Sequence, residues 1–168
     1  MNTSNYKQNH KPNFNTAFKQ GYYTLINHEK YIGDPMQIIY RSSWEFKFCK
    51  YCDLTEDIVK WSSEPNFPPF PIRYMNPVSQ TERNYYVDFY LRLRDENNIE
   101  KDYIVEVKPN NHLRLPNPIK GNKTLKKLKS YNYLLESYLV NEAKSIAAQE
   151  FARNLGYEYM IVTEDFLK

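Results

Sequence analysis

Two strand-like runs that lie close together in the chain most constrain what this sequence can fold into. In residues 85–93, apolar and aromatic side chains alternate with polar ones, the period of two that is typical of a half-buried strand. Residues 103–108 alternate in the same way, with Ile104, Glu106 and Lys108 on one face. The link between the runs is short, polar and rich in asparagine, so we predict an antiparallel hairpin.

Folding this hairpin about Asn97 brings Asp88 opposite Glu106. Asp88 faces away from the apolar side of its strand, and Lys108 follows Glu106 at a Cα separation of roughly 6.5–7 Å. Two carboxylates and an ammonium then share one patch, which suits a hard divalent cation with a lysine beside it. The plainer interpretation is an ordinary Glu/Lys pair on a solvated sheet face.

Positive charge is concentrated directly after the hairpin. The chain has a net charge of +3, but residues 107–135 contain no Asp or Glu. The cations of this block are Lys108, Arg114, Lys120, Lys123, Lys126, Lys127 and Lys129. A phosphate-bearing partner is the natural candidate for this side of the molecule, and the alternative is a solvated, lysine-rich helix end.

The length of 168 residues suits one domain with a real core. Residues 1–20 are rich in Asn, Lys and Gln with little apolar periodicity, so we expect a flexible N-terminal arm and a domain at residues 21–168. No apolar run reaches the length of a membrane span, and the N-terminus lacks the apolar core of a signal peptide. These features predict a cytoplasmic protein, or one in a particle assembled there, with no membrane partner.

Cys49 and Cys52 form a CxxC pair, a spacing found in zinc sites and in thiol-exchange motifs. Zinc would need a second pair of ligands, whereas His10, His28 and His112 are scattered singly. The pair also falls late in a predicted helix, while a redox motif would open one. We therefore expect reduced thiols without a metal or redox role.

Before the hairpin, the pattern predicts short strands at residues 21–27 and 37–40, a helix that opens at Ser42, and a strand at 58–65. A proline-rich connection follows, which excludes a helix and suits an edge segment. Glu64 at the end of this strand could assist at the site, but it is more typical of a surface residue.

After the hairpin, residues 109–123 are irregular because Pro and Gly interrupt them. Helical spacing resumes after Thr124 and either continues through Asn141 or restarts there, with Gly156 as the stop. The last strand, residues 157–163, is rich in aromatic and β-branched residues, which favours an inner position in the sheet.

Glu45 has two interpretations. Ser42 followed three residues later by Glu45 is a capping box, in which the glutamate reaches back to the helix start for structural reasons. Alternatively, Glu45 presents its carboxylate from the first helix to the metal site, since it lies beside the apolar stripe of that helix. Helix-capping statistics favour the first interpretation.

The order helix, strands bearing Asp and Glu-x-Lys, helix, strand resembles the PD-(D/E)xK nuclease superfamily. The match places Glu45 on the first helix, Asp88 at the aspartate and Glu106 and Lys108 at Glu-x-Lys, with Val87 where proline is common. More narrowly, the chain resembles the head completion nucleases of tailed bacteriophages from about residue 22 to its C-terminus. This likeness rests on YRSSWE (40–45), WSSEP (61–65), YVDF (86–89), IVEVKP (104–109), AAQEF (147–151) and IVTE (161–164).

The resemblance implies an α/β fold with a restriction-endonuclease-like core, in which helices flank a mixed central β-sheet. It implies a metal-dependent DNA endonuclease whose catalytic residues are Glu45, Asp88, Glu106 and Lys108. Asp88, Glu106 and Glu45 would bind Mg²⁺, for which Mn²⁺ could substitute. Such an enzyme would act on DNA during head completion and packaging at the portal vertex, beside portal, neck or capsid proteins. Its expected location is the host cytoplasm or the virion head and neck.

Under the same hypothesis, the basic block lies beside the metal site and holds the DNA backbone. The candidate contacts are Lys120, Lys123, Lys126, Lys127 and Lys129. Nothing in the sequence suggests that bases are read, so weak sequence preference is expected.

Two other functions are compatible with the same residues. A transposase-type or repair endonuclease of the same superfamily would use them on a different DNA. A structural neck or portal-binding protein could keep the fold while its catalysis is dispensable, and its sixteen tyrosines would then serve an interface. The intact Asp and Glu-x-Lys set favours an enzyme.

Overall fold

The structure, a computed structural model, describes residues 11–12, 19–65 and 70–167. Most of the predicted N-terminal arm, residues 1–10 and 13–18, lies outside the described residues. Short 3-10 turns cover His28–Lys30 and Asn110–Leu113. In chain order the regular elements are β1 (Gly21–Tyr22), β2 (Ile39–Tyr40), α1 (Ser43–Leu54), β3 (Ile58–Ser63), β4 (Ile72–Asn76), β5 (Thr81–Tyr85), β6 (Phe89–Arg94), β7 (Glu100–Val107), α2 (Leu125–Asn154) and β8 (Glu158–Val162).

The centre of the molecule is a four-stranded mixed sheet with the strand order β3, β6, β7, β8. The first three strands pair antiparallel, whereas β8 runs parallel to β7. Parallel neighbours need a long crossover, and α2 supplies it between β7 and β8. The mixed sheet with flanking helices that the sequence predicted is therefore present. Two small antiparallel sheets, β1 with β2 and β4 with β5, complete the described fold.

Both faces of the central sheet are covered, so the protein has two apolar cores. On one face, Phe48 of α1 packs edge-on against Phe89 of β6, with ring centroids 4.8 Å apart. On the other face, α2 approaches through small side chains such as Ala148. Neighbouring residues of β7 divide between the cores, Val105 in the first and Ile104 in the second. The expectation that these strands are only half-buried is wrong, because α2 covers the second face.

The predicted hairpin is present with the predicted register. Phe89 of β6 pairs with Val105 of β7, and the next pair towards the turn is Tyr90 with Ile104. The same register, carried one residue past the end of β6, sets Asp88 level with Glu106. Folding about the polar turn was therefore sufficient to place the two carboxylates.

The prediction of one continuous strand over residues 85–93 is wrong. Tyr85 ends β5, and Asp88 occupies a bend before β6 begins at Phe89. The chain breaks here because Tyr85 and Val87 pack into the second core, whereas Phe89 enters the first. Asp88 thus lies in a bend at the start of β6, and not in the middle of a strand.

α2 is one continuous helix of 30 residues, so it does not restart at Asn141. The Thr124 hydroxyl caps it by accepting a hydrogen bond from the Lys127 backbone N–H at 3.4 Å. Gly156 follows it with a φ of 72°, a left-handed conformation that favours glycine. The inner position predicted for the last strand is wrong, since among the described strands β8 pairs only with β7. Its aromatic residues, such as Tyr159, pack instead against the second core.

The predicted strand at residues 21–27 is shorter than expected, because β1 covers only its first two residues. The chain then turns towards α1, where Asp53 is fully buried. Its carboxylate accepts hydrogen bonds from the backbone N–H groups of Ile26 (2.8 Å) and Asn27 (2.9 Å). It also accepts one from the Tyr23 hydroxyl at 2.9 Å. These bonds satisfy the backbone groups that a strand partner would otherwise have satisfied. Neither α-helix of the described chain is long and apolar enough to cross a membrane.

Candidate active site

Asp88 and Glu106 lie side by side where the hairpin meets the core. Asp88 Oδ2 accepts a hydrogen bond from the Val107 backbone N–H at 2.8 Å, which ties the bend to β7. Glu106 is only 8% exposed. Its Oε2 accepts a hydrogen bond from the Tyr85 hydroxyl at 2.6 Å, and its Oε1 accepts one from Lys108 Nζ at 2.7 Å.

Lys108 is held by its backbone as well as by its side chain. It lies one residue beyond β7, and its N–H still donates to the carbonyl of Val162 in β8 at 2.8 Å. Two residues on, the Asn110 N–H donates to the Glu164 carboxylate at 2.7 Å. The pairing with β8 therefore fixes the direction in which the Lys108 side chain leaves the sheet.

Glu45 lies in the first turn of α1, with the capping contacts that the sequence predicted. The Ser42 hydroxyl accepts a hydrogen bond from the Glu45 backbone N–H at 3.1 Å. Glu45 Oε2 accepts one from the Arg41 backbone N–H at 2.7 Å, one residue before the position of a standard capping box. One oxygen of Glu45 is thus used by the cap. The structural interpretation of Glu45 is therefore present, and the Ser42 side chain also forms a hydrogen bond with the Glu45 carboxylate.

Asp88 lies within the electrostatic field of the other two candidate carboxylates, Glu106 and Glu45. Burial raises the pKa of Asp88 well above its usual range, and the negative charges of Glu106 and Glu45 raise it further. Burial also raises the pKa of Glu45, with a smaller contribution from the charge of Glu64. A buried carboxyl group whose ionisation is disfavoured by two neighbouring carboxylates is one that a bound cation would stabilise in its charged form.

The donor set fits a hard divalent cation, although the carboxylates are engaged with the protein. No three carboxylates, imidazoles or thiols of the described residues converge as a ready metal cluster. Asp88, Glu106 and Glu45 each give at least one oxygen to a protein donor. All three supply oxygen and no nitrogen or sulfur, and Mg²⁺ binds typically through one or two carboxylates, with waters and phosphate completing its octahedron.

Lys144 is a residue of this site that the sequence analysis missed. Its Nζ lies 5.2 Å from the centroid of the Tyr85 ring and 5.8 Å from that of Tyr74. Burial lowers the pKa of Lys144, and the charge of Lys108 lowers it further, while Glu106 acts in the opposite direction. A second ammonium therefore lies within the electrostatic field of the first. The available signal was a lysine inside an apolar helix face that also carries Val140, Ala147, Ala148 and Phe151.

The description of Glu64 as a surface residue is wrong. Its carboxylate forms a two-pronged ion pair with Arg41 through Nε and Nη2, the latter at 3.1 Å. Its backbone has a φ of 45°, which is unusual for a residue other than glycine, and its N–H donates to the Asp88 carbonyl at 2.8 Å. Glu64 thus links the end of β3 to the Asp88 bend, and Arg41 links it to the start of α1.

The lysines predicted to bind DNA are all exposed and lie in or just before the first turns of α2. Lys127 lines the same groove as Lys108, whereas Lys120, Lys123, Lys126 and Lys129 lie outside its lining. The structure therefore places one of the five in the lining of the groove that Lys108 also lines.

Cys49 and Cys52 are free thiols buried in the first core. Burial raises the pKa of both thiols well above the usual value. A buried thiol that resists ionisation is a poor nucleophile and a poor metal ligand, so both side chains serve as packing groups.

Comparison with known proteins gives the chain a family. The model of the family described as TnsA-like endonuclease N terminal matches residues 55–164, which include Asp88, Glu106 and Lys108. The chain is also 30% identical over 142 residues to the head completion nuclease of Enterobacteria phage T4, across 84% of this chain and 89% of that protein. No solved structure shows a significant match. The chain therefore belongs to the TnsA-like endonuclease family and is a homologue of the phage head completion nuclease.

Proposed function

We propose that this protein is a Mg²⁺-dependent endodeoxyribonuclease that acts in phage head completion. The observation that carries the proposal is the position of Asp88 beside Glu106, with Lys108 Nζ 2.7 Å from the Glu106 carboxylate. These residues occupy the end of the sheet where three strands and the start of α1 meet. Family membership supports the reaction class, and the donor set supports the metal.

Asp88 and Glu106, with Glu45 from α1, would hold the cation. When bound, Mg²⁺ supplies Lewis acidity to the phosphate and lowers the pKa of an attacking water. Lys108 contributes a fixed positive charge, which stabilises the negative charge that grows on the phosphate during hydrolysis. Because its side chain is 15% exposed, this ammonium acts with little screening by solvent. Tyr85 orients the Glu106 carboxylate from the opposite side.

The role in head completion is supported by the extent of the relationship to the phage T4 protein. The family model begins at residue 55, after α1, and so omits Glu45. The alignment with the T4 protein covers 84% of this chain, and any continuous stretch of that length includes Glu45. This favours head completion over a transposase-type role. We propose DNA at the portal vertex as the substrate, with portal or neck proteins as neighbours.

Cleavage of supercoiled plasmid at low salt tests the proposed function. Wild-type protein with Mg²⁺ should cut the plasmid, and chelator should stop the reaction. Asp88→Asn, Glu106→Gln and Lys108→Gln should each lower the rate by at least about a hundredfold, because each removes charge needed in the transition state. Glu96→Gln, an exposed carboxylate in the turn of the same hairpin, is the matched control and should cut normally. Wild-type rates in the three site variants, with normal folding, would contradict the assignment.

A further inference from the structure

A groove runs along α2 and opens beside Lys108. Its volume is about 1070 Å³. One wall is the N-terminal half of α2, and the other is formed by the β4–β5 hairpin and by residues 111–119. The groove meets the candidate active site at Lys108, whose ammonium donates a hydrogen bond to Glu106.

The charge of the groove suits an anionic chain. Its lining includes the cationic side chains Arg83, Lys108, Arg114 and Lys127, against a single carboxylate, Glu136. Among the described residues, no carboxylate forms an ion pair with Arg83, Arg114 or Lys127. These three charges are available to phosphates.

The groove also exposes an unusual amount of aromatic and apolar surface. Tyr133 is 70% exposed, Leu115 61% and Val78 45%, and all three line the groove. Tyr131 and Tyr138 lie along the same stretch of α2. A DNA duplex presents phosphates and keeps its bases stacked inside, so it would leave this surface uncovered. Unpaired nucleotides present flat base faces that stack on aromatic side chains.

We propose that this groove binds an unpaired segment of the DNA substrate and leads it to the site at Lys108. The inference rests on the proposed nuclease function and names the part of the substrate that the protein recognises. The arginines and lysines follow the phosphates, while Tyr133 and Leu115 contact bases. Because stacking on an aromatic ring and contacts to phosphates accept any base, the expected preference is for unpaired structure and not for sequence.

Binding of fluorescent oligonucleotides in the presence of chelator tests the proposal without cleavage. The probes are a single-stranded 20-mer and the blunt duplex of the same sequence, at equal salt. Wild type should bind the single strand more tightly, although the duplex carries the higher charge density. Tyr133→Ala should weaken single-strand binding at least about fivefold and duplex binding less than twofold, and Tyr133→Trp should retain the preference.

Tyr22→Ala removes a tyrosine that is 48% exposed on β1, outside the groove, and should leave both affinities unchanged. Arg114→Gln should weaken the binding of both probes, because it removes a positive charge that lines the groove. Equal or tighter binding of the duplex, or no effect of Tyr133→Ala, would overturn the groove assignment. Plasmid cleavage measured in parallel separates the two proposals. A wild type that cuts but shows no strand preference overturns only the groove, whereas one that cuts no DNA overturns the nuclease and the groove with it.

Discussion

At the scale of single residues, hydrogen bonds from neighbouring side chains orient the candidate residues of the site. Glu106 accepts a hydrogen bond on both oxygens, from Tyr85 on one side and from Lys108 on the other. Burial, followed by the charge of Glu106, raises the pKa of Tyr85 far above its usual value, so its hydroxyl remains a donor at any working pH. Tyr85 is thus a positioning residue for a proposed metal ligand.

Tyr85→Phe should lower Mg²⁺ affinity in the cleavage assay by roughly 10–100-fold, because a ligand that loses its orienting partner binds metal less well. The measurement is the Mg²⁺ concentration that gives half-maximal cleavage, determined beside the unfolding temperature. Tyr90→Phe is the matched control, since the Tyr90 hydroxyl donates to Asp102 at 2.7 Å outside the site. An equal loss of Mg²⁺ affinity in both variants would show that the effect is only structural.

The sequence predicted the four candidate residues of the site but not their supports. Asp88 and Glu106 could be placed because hairpin register is a local property, set by the symmetry of the turn. Lys144 could not, because its distance from Tyr85 depends on how α2 packs on the sheet. The Arg41–Glu64 ion pair was missed for the same reason, because its partners are 23 residues apart and no local sequence pattern connects them.

At the scale of elements, α1 is fixed at both ends by different means. Its N-terminus is capped by Ser42 and tied to the segment before it by Glu45. Its C-terminus carries Asp53, whose carboxylate holds the segment that follows β1. Contacts at both ends therefore fix the position of α1 and, with it, the position of Glu45 in its first turn.

Asp53→Ala should lower the free energy of unfolding by about 3 kcal/mol, because the part-buried N–H groups of Ile26 and Asn27 and the buried Tyr23 hydroxyl would lose a charged acceptor. The urea midpoint should fall accordingly, with little change in the slope. Asp57→Ala removes an exposed carboxylate close by in the chain and should change stability by less than about 0.5 kcal/mol.

The same bonds predict a pH dependence. Burial alone would raise the pKa of Asp53, but the N–H donors of Ile26 and Asn27 outweigh it and lower the pKa below its usual value. A carboxyl group with a lowered pKa stabilises the folded state above the unfolded pKa of about 3.9, and this stabilisation is lost as the pH falls through the folded pKa. The difference in stability between wild type and Asp53→Ala should therefore be constant near neutral pH and shrink below about pH 4. A difference that grows on acidification would contradict this.

The elements themselves show where sequence patterns stop. Alternation predicted β7 and the hairpin correctly, because successive side chains of a strand point to opposite faces of the sheet and the pattern is therefore local. It failed at residues 86–88, where an alternating pattern continues through a bend that only the two separate cores impose. Composition failed for β8, because its aromatic and β-branched residues are covered by a helix and not by a further strand.

At the scale of the whole molecule, charge is unevenly distributed while the net charge is small. The net charge of +3 conceals a block of residues 107–135 that has no carboxylate. The structure divides this block between the groove, which receives Lys127 and Arg114, and an outer surface with Lys123 and Lys126. We propose that the outer lysines contact DNA beyond the length that the groove covers.

The double substitution of Lys123 and Lys126 by Gln should make the salt dependence of duplex binding shallower. The negative slope of the logarithm of the binding constant against the logarithm of the salt concentration should shrink in magnitude by about 1.8, or about 0.9 for each phosphate that a lysine no longer neutralises. The slope is obtained by titrating labelled duplex at several salt concentrations in chelator. The matched control replaces Lys19 and Lys50, exposed lysines outside the block, and should leave the slope unchanged. Equal slopes for wild type and the test variant would exclude these lysines from the DNA interface.

The parallel pairing of β8 with β7 has a consequence for the order in which the candidate site forms during synthesis of the chain. The backbone that aims Lys108 is held by Val162, and the next turn is held by a glutamate 54 positions further along the chain. During translation, Asp88 and Glu106 are therefore synthesised well before Val162, which is needed to orient Lys108. A fragment that ends before β8 would carry Asp88, Glu106 and Lys108 without the backbone partner that orients Lys108.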